Sequence, residues 1–296
     1  MDFNMPSCTL CPRECGVNRH EKMGFCQMGE NFKVARAALH LWEEPCISGE
    51  NGSGAIFFSG CSLRCVFCQN SSISHENFGK EITKEQLKKI ILRLQDEGAN
   101  NINLVTPTHF SAMLIPVLEE VKPLLNIPII YNTGGYDSLD AIKALEGLVD
   151  VYLPDFKYKS NFLSKKLSGV SNYSKSCILA IENMIEQTGS CKFQENGNII
   201  SGTIIRHLVL PGFIENSIAV LEEIAKRFKE KAMVSIMCQY TPAFYSGDIP
   251  SLHRTLTQEE YDLIINFACD LGLNGYMQEL NSAEAKYTPS FKLEGV

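Results

Sequence analysis

Apolar and polar positions along the chain change period repeatedly, and each change marks an element. From Gly54 onward, short β-rich apolar runs alternate with stretches that repeat apolar positions every three to four residues. The runs predict strands at 55–59, 102–105, 127–131, 149–153, 203–210 and 233–238. The repeating stretches predict helices at 83–97, 111–122, 137–145, 171–187, 217–229 and 257–271. Thr83 and Thr257 read as N-caps, Thr257 with Glu260 three residues on, and Gly98 and Gly272 fall just past the helix ends. Pro116 lies inside the second helix, where it is expected to shorten or kink it. Six strand–helix units in strict alternation imply an α/β fold with a parallel sheet and crossover helices. Six are too few for a closed eightfold barrel, so an open partial (β/α)6 barrel or a doubly wound sheet is expected. In either case function gathers at the carboxyl ends of the strands. The first fifty or so residues show neither period and read as irregular. The chain therefore divides into a cysteine-rich segment, 1–50, and a core, 51–296.

Composition narrows the function classes. The 296 residues are 45% hydrophobic and 21% charged, the balance of an ordinary globular protein. No run approaches the roughly 20 apolar residues that span a bilayer, and the first ten residues lack the basic segment and apolar run of a signal peptide. A cytoplasmic location without a membrane partner is expected. A net charge of −7 gives nucleic acid no general attraction, so it is disfavoured as a partner. Seven of the twelve cysteines form two tight clusters before residue 70, which in a reducing compartment points to metal rather than disulfides.

The second cluster reads Gly60-Cys61-Ser62-Leu63-Arg64-Cys65-Val66-Phe67-Cys68-Gln69-Asn70, directly after the first strand. The spacing puts three thiols on one loop. Fully protein-ligated cubane clusters use four cysteines, so three leave one iron open, and an open position marks a metal centre that does chemistry. A zinc site borrowing a fourth ligand is the alternative.

This spacing on a loop after strand one resembles the radical S-adenosylmethionine (SAM) superfamily. The resemblance implies a partial barrel of radical SAM type with a [4Fe–4S] cluster on Cys61, Cys65 and Cys68. Its open iron would bind SAM and cleave it to methionine and a 5′-deoxyadenosyl radical that abstracts hydrogen. Phe67, just before the third cysteine, would pack near the adenine. A finer resemblance runs over nearly the whole chain: Cys8–Arg19, Glu43–Pro45, Phe57–Cys61, Cys68–Asn70, Pro107–His109, Leu153–Tyr158 and Arg206–Gly212 look like the PflX-like group. That group is similar to pyruvate formate-lyase activating enzymes, which install a glycyl radical on a partner. The implied partners are an electron donor such as flavodoxin or ferredoxin and a protein or small-molecule substrate. The rival function is a non-catalytic iron–sulfur protein for electron transfer or redox sensing; pure carriers, however, normally saturate their irons.

Other positions follow from the strand ends. Activating enzymes usually carry Gly-Gly-Glu after the second strand, where this chain has Thr106-Pro107-Thr108-His109. Pro107 supplies no N–H, so carbonyls, the Thr108 hydroxyl or His109 would have to serve there, beside Thr106. Asp155 and Lys157, two apart, share a face and would contact SAM or form an ion pair. Arg206 and His207 point to opposite faces; by the resemblance, Arg206 lies near the SAM carboxylate. Asn132, Thr133, Gln239 and Tyr240 complete the expected rim. Cys8, Cys11, Cys15 and Cys26 supply the four thiols of a closed site, zinc or a second iron–sulfur cluster, with Arg13, Arg19 and His20 near enough in sequence to favour thiolates. Cys46, Cys177, Cys191, Cys238 and Cys269 read as packing residues, Cys238 nearest the rim. Met277, Glu279 and Tyr287 are the candidate lid contacts.

Overall fold

In the computed structural model, residues 5–282 and 289–296 are described; Tyr287 lies outside them. Among the described residues, ten strands are built in chain order: β1 (Phe32–His40), β2 (Ser53–Phe58), β3 (Lys80–Ile82), β4 (Ile102–Val105), β5 (Ile129–Thr133), β6 (Val151–Pro154), β7 (Lys192–Phe193), β8 (Ile199–Leu208), β9 (Met233–Met237) and β10 (Gly275–Met277). They form one open sheet in the order β10-β9-β8-β6-β5-β4-β2-β1-β3, with β7 on β8. β2, β4, β5, β6, β8 and β9 are parallel neighbours in that succession, giving the expected partial (β/α)6 barrel.

The alternation along each strand decides which side chains meet. Ile56, Leu104, Tyr131, Tyr152 and Ile205 pack under the crossover helices, among Leu87, Ile91, Leu114, Val220 and Ile224. The opposite face carries Phe57, Asn103, Asn132, Asp155 and Arg206. Its lower half is filled by the short helix Pro45–Ser48, whose Cys46 and Ile47 are buried among Ile130, Val151, Leu153 and Ile204. Asn101 Nδ2 donates to the Ile47 carbonyl at 2.7 Å and fixes this plug. The upper half is left open as a cavity.

Three features differ from the sequence reading. The first fifty residues are not wholly irregular: β1 pairs antiparallel with β2 and β3. A register shift between Val34 and Arg36 breaks its period of two, and Val34, Ala35 and Ala37 are all buried, so no alternation is visible. The helix expected over 171–187 is preceded by another, Asn161–Ser168, capped by Ser160 and ended by Gly169 at φ +67°. Finally, residues 289–296 return to β1: Ala37 N donates to the Glu294 carbonyl at 2.9 Å, Leu293 N to the Ala35 carbonyl at 3.1 Å, and Phe291 packs 5.4 Å from Phe57. Pro116 is accommodated within Ser111–Val121.

The capping box of Gln258–Asp270 forms as expected: Thr257 Oγ1 accepts from Glu260 N at 3.2 Å and Glu260 Oε2 from Thr257 N at 3.1 Å. Thr257→Ala should cost about 1 kcal/mol, read as a lower urea midpoint at unchanged slope. An unchanged midpoint would mean that packing alone holds this helix.

Candidate functional site

At the carboxyl ends of the strands lies a cavity of about 210 Å³, lined by Cys61, Cys65, Phe67 and Cys68 from the loop after β2 and by Thr106, Asn132, Asp155, Lys157, Arg206 and Gln239 from the following strand ends. Each thiol has a hydrogen-bond donor. Leu63 N donates to Cys61 Sγ at 3.4 Å, Ser168 Oγ to Cys65 Sγ at 2.9 Å and Ser74 Oγ to Cys68 Sγ at 3.3 Å. Donors aimed at sulfur favour thiolate, the form that ligates metal. Burial opposes ionisation and pushes Cys68 up to about 12; for Cys65, burial also dominates, with Lys157 pulling the other way. Ligation by iron would offset that burial, so the three thiols and their donors fit the ligands of an iron–sulfur cluster. Phe67 meets Tyr240 edge to face at 6.1 Å between centroids.

Below the thiols lies a buried polar network. Arg206 Nε donates to Asp155 Oδ1 at 2.9 Å, Nη1 to Glu43 Oε2 at 3.2 Å and Nη2 to Asn132 Oδ1 at 2.6 Å. Lys157 Nζ pairs with the other Asp155 oxygen. Asn103 Nδ2 donates to Glu43 Oε1 at 3.1 Å. Burial works to raise Asp155, yet Lys157 and Arg206 hold its carboxyl below the usual carboxylate range. Burial prevails at Glu43 and raises it against the pull of Arg206. Glu43 was missed as a site residue because it precedes the barrel; its signal was the Glu43-Glu44-Pro45 run, where two adjacent acids lead into an otherwise apolar plug.

Two expected contacts lie elsewhere. Thr108 and His109 sit in the one-turn helix Thr108–Phe110, buried beneath the loop, and line no part of the cavity. Thr108 Oγ1 donates to Asp137 Oδ1 at 2.7 Å. His109 Nε2 lies 2.7 Å from the Ser59 carbonyl, and burial pushes its imidazole down to about 3. Pro107 turns the chain inward at this point. Thr106 alone faces the cavity, at φ +60°, a conformation costing a β-branched residue about 1–3 kcal/mol and typical of functional loops. His207 faces the helices, its Nε2 2.9 Å from Ser217 Oγ. Cys8, Cys11, Cys15 and Cys26 lie outside the cavity.

The fold and site are those of an open parallel α/β barrel with three thiols and an ionic network at its carboxyl end. The chain belongs to the radical SAM superfamily. The Radical SAM superfamily model matches residues 55–187. An uncharacterised protein of Methanocaldococcus jannaschii is 32% identical over 271 residues, 88% of this chain and 74% of that protein. The pyruvate formate-lyase-activating enzyme of Clostridium pasteurianum is 25% identical over 202 residues, 66% of this chain and 78% of the enzyme. Among solved structures, a methylornithine synthase shares the fold at a TM-score of 0.51 and 16% identity, over 88% of this chain and 78% of that one. Membership implies a [4Fe–4S] cluster, SAM and radical chemistry. Among the described residues, no helix is long and apolar enough to cross a membrane.

Proposed function

We propose that Cys61, Cys65 and Cys68 ligate the [4Fe–4S] cluster and that SAM occupies the cavity beside them for hydrogen abstraction. The observation that carries this reading is the convergence of three thiols, each with its own donor, on the cavity that also holds the Asp155–Lys157–Arg206 network. Held by these three cysteines, a [4Fe–4S] cluster would supply the electron for reductive cleavage of SAM and hence the radical chemistry. The chain's own residues do the rest. Phe67 and Tyr240 offer an aromatic wall for an adenine. Asn132, Thr106 and Gln239 present amide and hydroxyl groups to the ribose and the methionine end. Asp155, held ionised by two cations, accepts hydrogen bonds from an amine or hydroxyl. Lys157, between Asp155 and Cys65, favours thiolate at the cluster. Arg206 orients Asp155 and Asn132 from below.

The particular reaction we favour is glycyl radical activation of a partner protein, supported by the similarity to the clostridial activating enzyme and by the Glu-Glu-Pro and Cys-Gln-Asn runs. A low-potential one-electron donor such as flavodoxin or ferredoxin, a reducing cytoplasm and a second metal site at the four N-terminal cysteines belong to the same reading.

The test is electron paramagnetic resonance of the dithionite-reduced, iron-loaded protein with and without SAM. SAM on the open iron should change the g-values of the cluster. A spectrum indifferent to SAM would favour an electron carrier instead. Ser168→Ala, which removes a donor to the Cys65 sulfur, should leave the iron content intact and make the cluster harder to reduce, since hydrogen bonds to sulfur stabilise the more negative reduced state. An unchanged midpoint in a redox titration would show that this sulfur is not a cluster ligand.

A further inference from the structure

The chain is acidic overall, with a net charge of −7, but its charges are unevenly spread. Residues 156–181 hold Lys157, Lys159, Lys165, Lys166 and Lys175 and no acid, and residues 51–75 hold Arg64 and no acid. Lys157 is paired with Asp155 and Lys159 with Glu223. Lys165 and Lys166 stand exposed in the last turn of the helix Asn161–Ser168. Among the described residues, neither they nor Arg13 or Arg64 take part in an ion pair. The helix brings its lysines to the thiol loop: Val66 N donates to the Leu167 carbonyl at 2.9 Å, and Ser168 Oγ to Cys65 Sγ. Arg13 reaches the same junction, donating Nη2 to the carbonyls of Leu63 at 3.3 Å and Ser168 at 3.2 Å. Its guanidinium lies 3.4 Å over the Phe25 ring, and that of Arg64 lies 5.7 Å from the same ring.

Apolar side chains are exposed among these cations: Val66 at 45%, Phe25 at 41% and Phe162 at 78%. Phe162 shares a helix face with Lys165 and Lys166, three and four residues on. Apolar contacts ringed by charges of one sign are the make-up of a transient docking surface. We propose that this basic patch, on the outer side of the loop carrying Cys61, Cys65 and Cys68, docks an acidic one-electron carrier protein. The proposal rests on the radical SAM reading above and names where its reductant binds. Two observations choose this occupant. An acidic carrier meets net repulsion from a chain of charge −7 except at a patch of opposite sign. The patch is also one step from Cys65 on two sides, since Val66 follows that cysteine and Ser168, at the end of the lysine-bearing helix, donates to its sulfur. Phe25, Val66, Phe162, Lys165 and Lys166 stand outside the cavity wall, so the carrier and SAM do not compete for space. In the transfer the carrier is oxidised by one electron and the oxidised [4Fe–4S] centre is reduced by one; no bond forms or breaks.

The test uses the full chain, iron-loaded, with flavodoxin as the carrier. Lys165→Glu with Lys166→Glu should raise the Kd for flavodoxin in a calorimetric titration about tenfold. The KM for reduced flavodoxin in 5′-deoxyadenosine formation should rise with it. Formation driven by dithionite should stay at the native level, because a small reductant needs no docking surface. Phe162→Ala should weaken flavodoxin binding in the same direction. Lys84→Glu with Lys89→Glu, exposed on the helix Lys84–Asp96, changes the net charge equally and should leave that binding unchanged. Added salt should weaken binding to the native chain more than to the Lys165/Lys166 variant. Native affinity in the Lys165/Lys166 variant would overturn the proposal, as would equal losses in both charge-reversed pairs, which would reduce the effect to net charge. Equal loss with dithionite and flavodoxin would make the two lysines structural, as cations in a last helical turn can be, and would overturn it too. A native chain that forms no product with either reductant would contradict the radical SAM reading, while the calorimetric titration would still decide the docking.

Discussion

Replacing Cys65 with alanine is expected to lower 5′-deoxyadenosine formation from SAM at least about a thousandfold, because a three-cysteine cluster has no ligand to spare and supplies the reaction's electron. Cys65 is nine-tenths buried, accepts from Ser168 and stands beside Lys157. Cys61, Cys65 and Cys68 are the thiols among the residues that line the cavity, so no cysteine there can replace it. Iron content of the reconstituted variant should fall with activity. Cys238→Ala is the matched control: that thiol is buried, donates to the Glu279 carbonyl at 3.2 Å and is absent from the cavity wall. Comparable losses in both variants would mean that the cavity thiols have no special role.

Arg206→Ala should be the most destabilising change at the site, by about 3–5 kcal/mol, because it removes the cation paired with buried Glu43, one of the two cations on buried Asp155, whose other partner is Lys157, and the donor to Asn132. Arg206→Lys should recover only part of this, since an ammonium cannot reproduce the three-directional contact. The loss should depend on pH. Asp155 is depressed in the folded chain despite its burial, so its contribution is present above the unfolded value of 3.8 and fades as the pH falls below it. The gap between native and Arg206→Ala midpoints in urea should therefore be widest near neutrality and narrow toward pH 3. A loss under about 1 kcal/mol at pH 7 would show the network to be solvated.

The core of this fold was legible because its signals are local and repeated. Six apolar runs at strand length, each followed by a helical period, specify a parallel sheet almost unaided, and the capping residues Thr83 and Thr257 set helix starts that the structure reproduces. β1 escaped because its bulge and small buried alanines erase the alternation that marks a strand. The return of 289–296 onto β1 rests on backbone bonds and on isolated side-chain contacts, Phe291 on Phe57 and Arg36 with Glu294, which make no repeating pattern.

The site was legible in proportion to how far residue spacing alone determines geometry. Cys61, Cys65, Phe67 and Cys68 share one short loop, and Asp155, Lys157 and Arg206 end adjacent strands, so topology brings them to one cavity. Thr108 and His109 misled because the left-handed turn at Thr106 and the proline after it rotate the next residues inward, a tertiary fact with no sequence period. Glu43 was overlooked because it enters from below, on a segment that precedes the first strand of the barrel.

The most direct measurement is mass-spectrometric detection of 5′-deoxyadenosine from anaerobically reconstituted native protein given SAM and dithionite. Product that requires reductant, SAM and Cys65 is the expected result. A fully iron-loaded native chain that leaves SAM intact would contradict the proposed radical chemistry at this cavity.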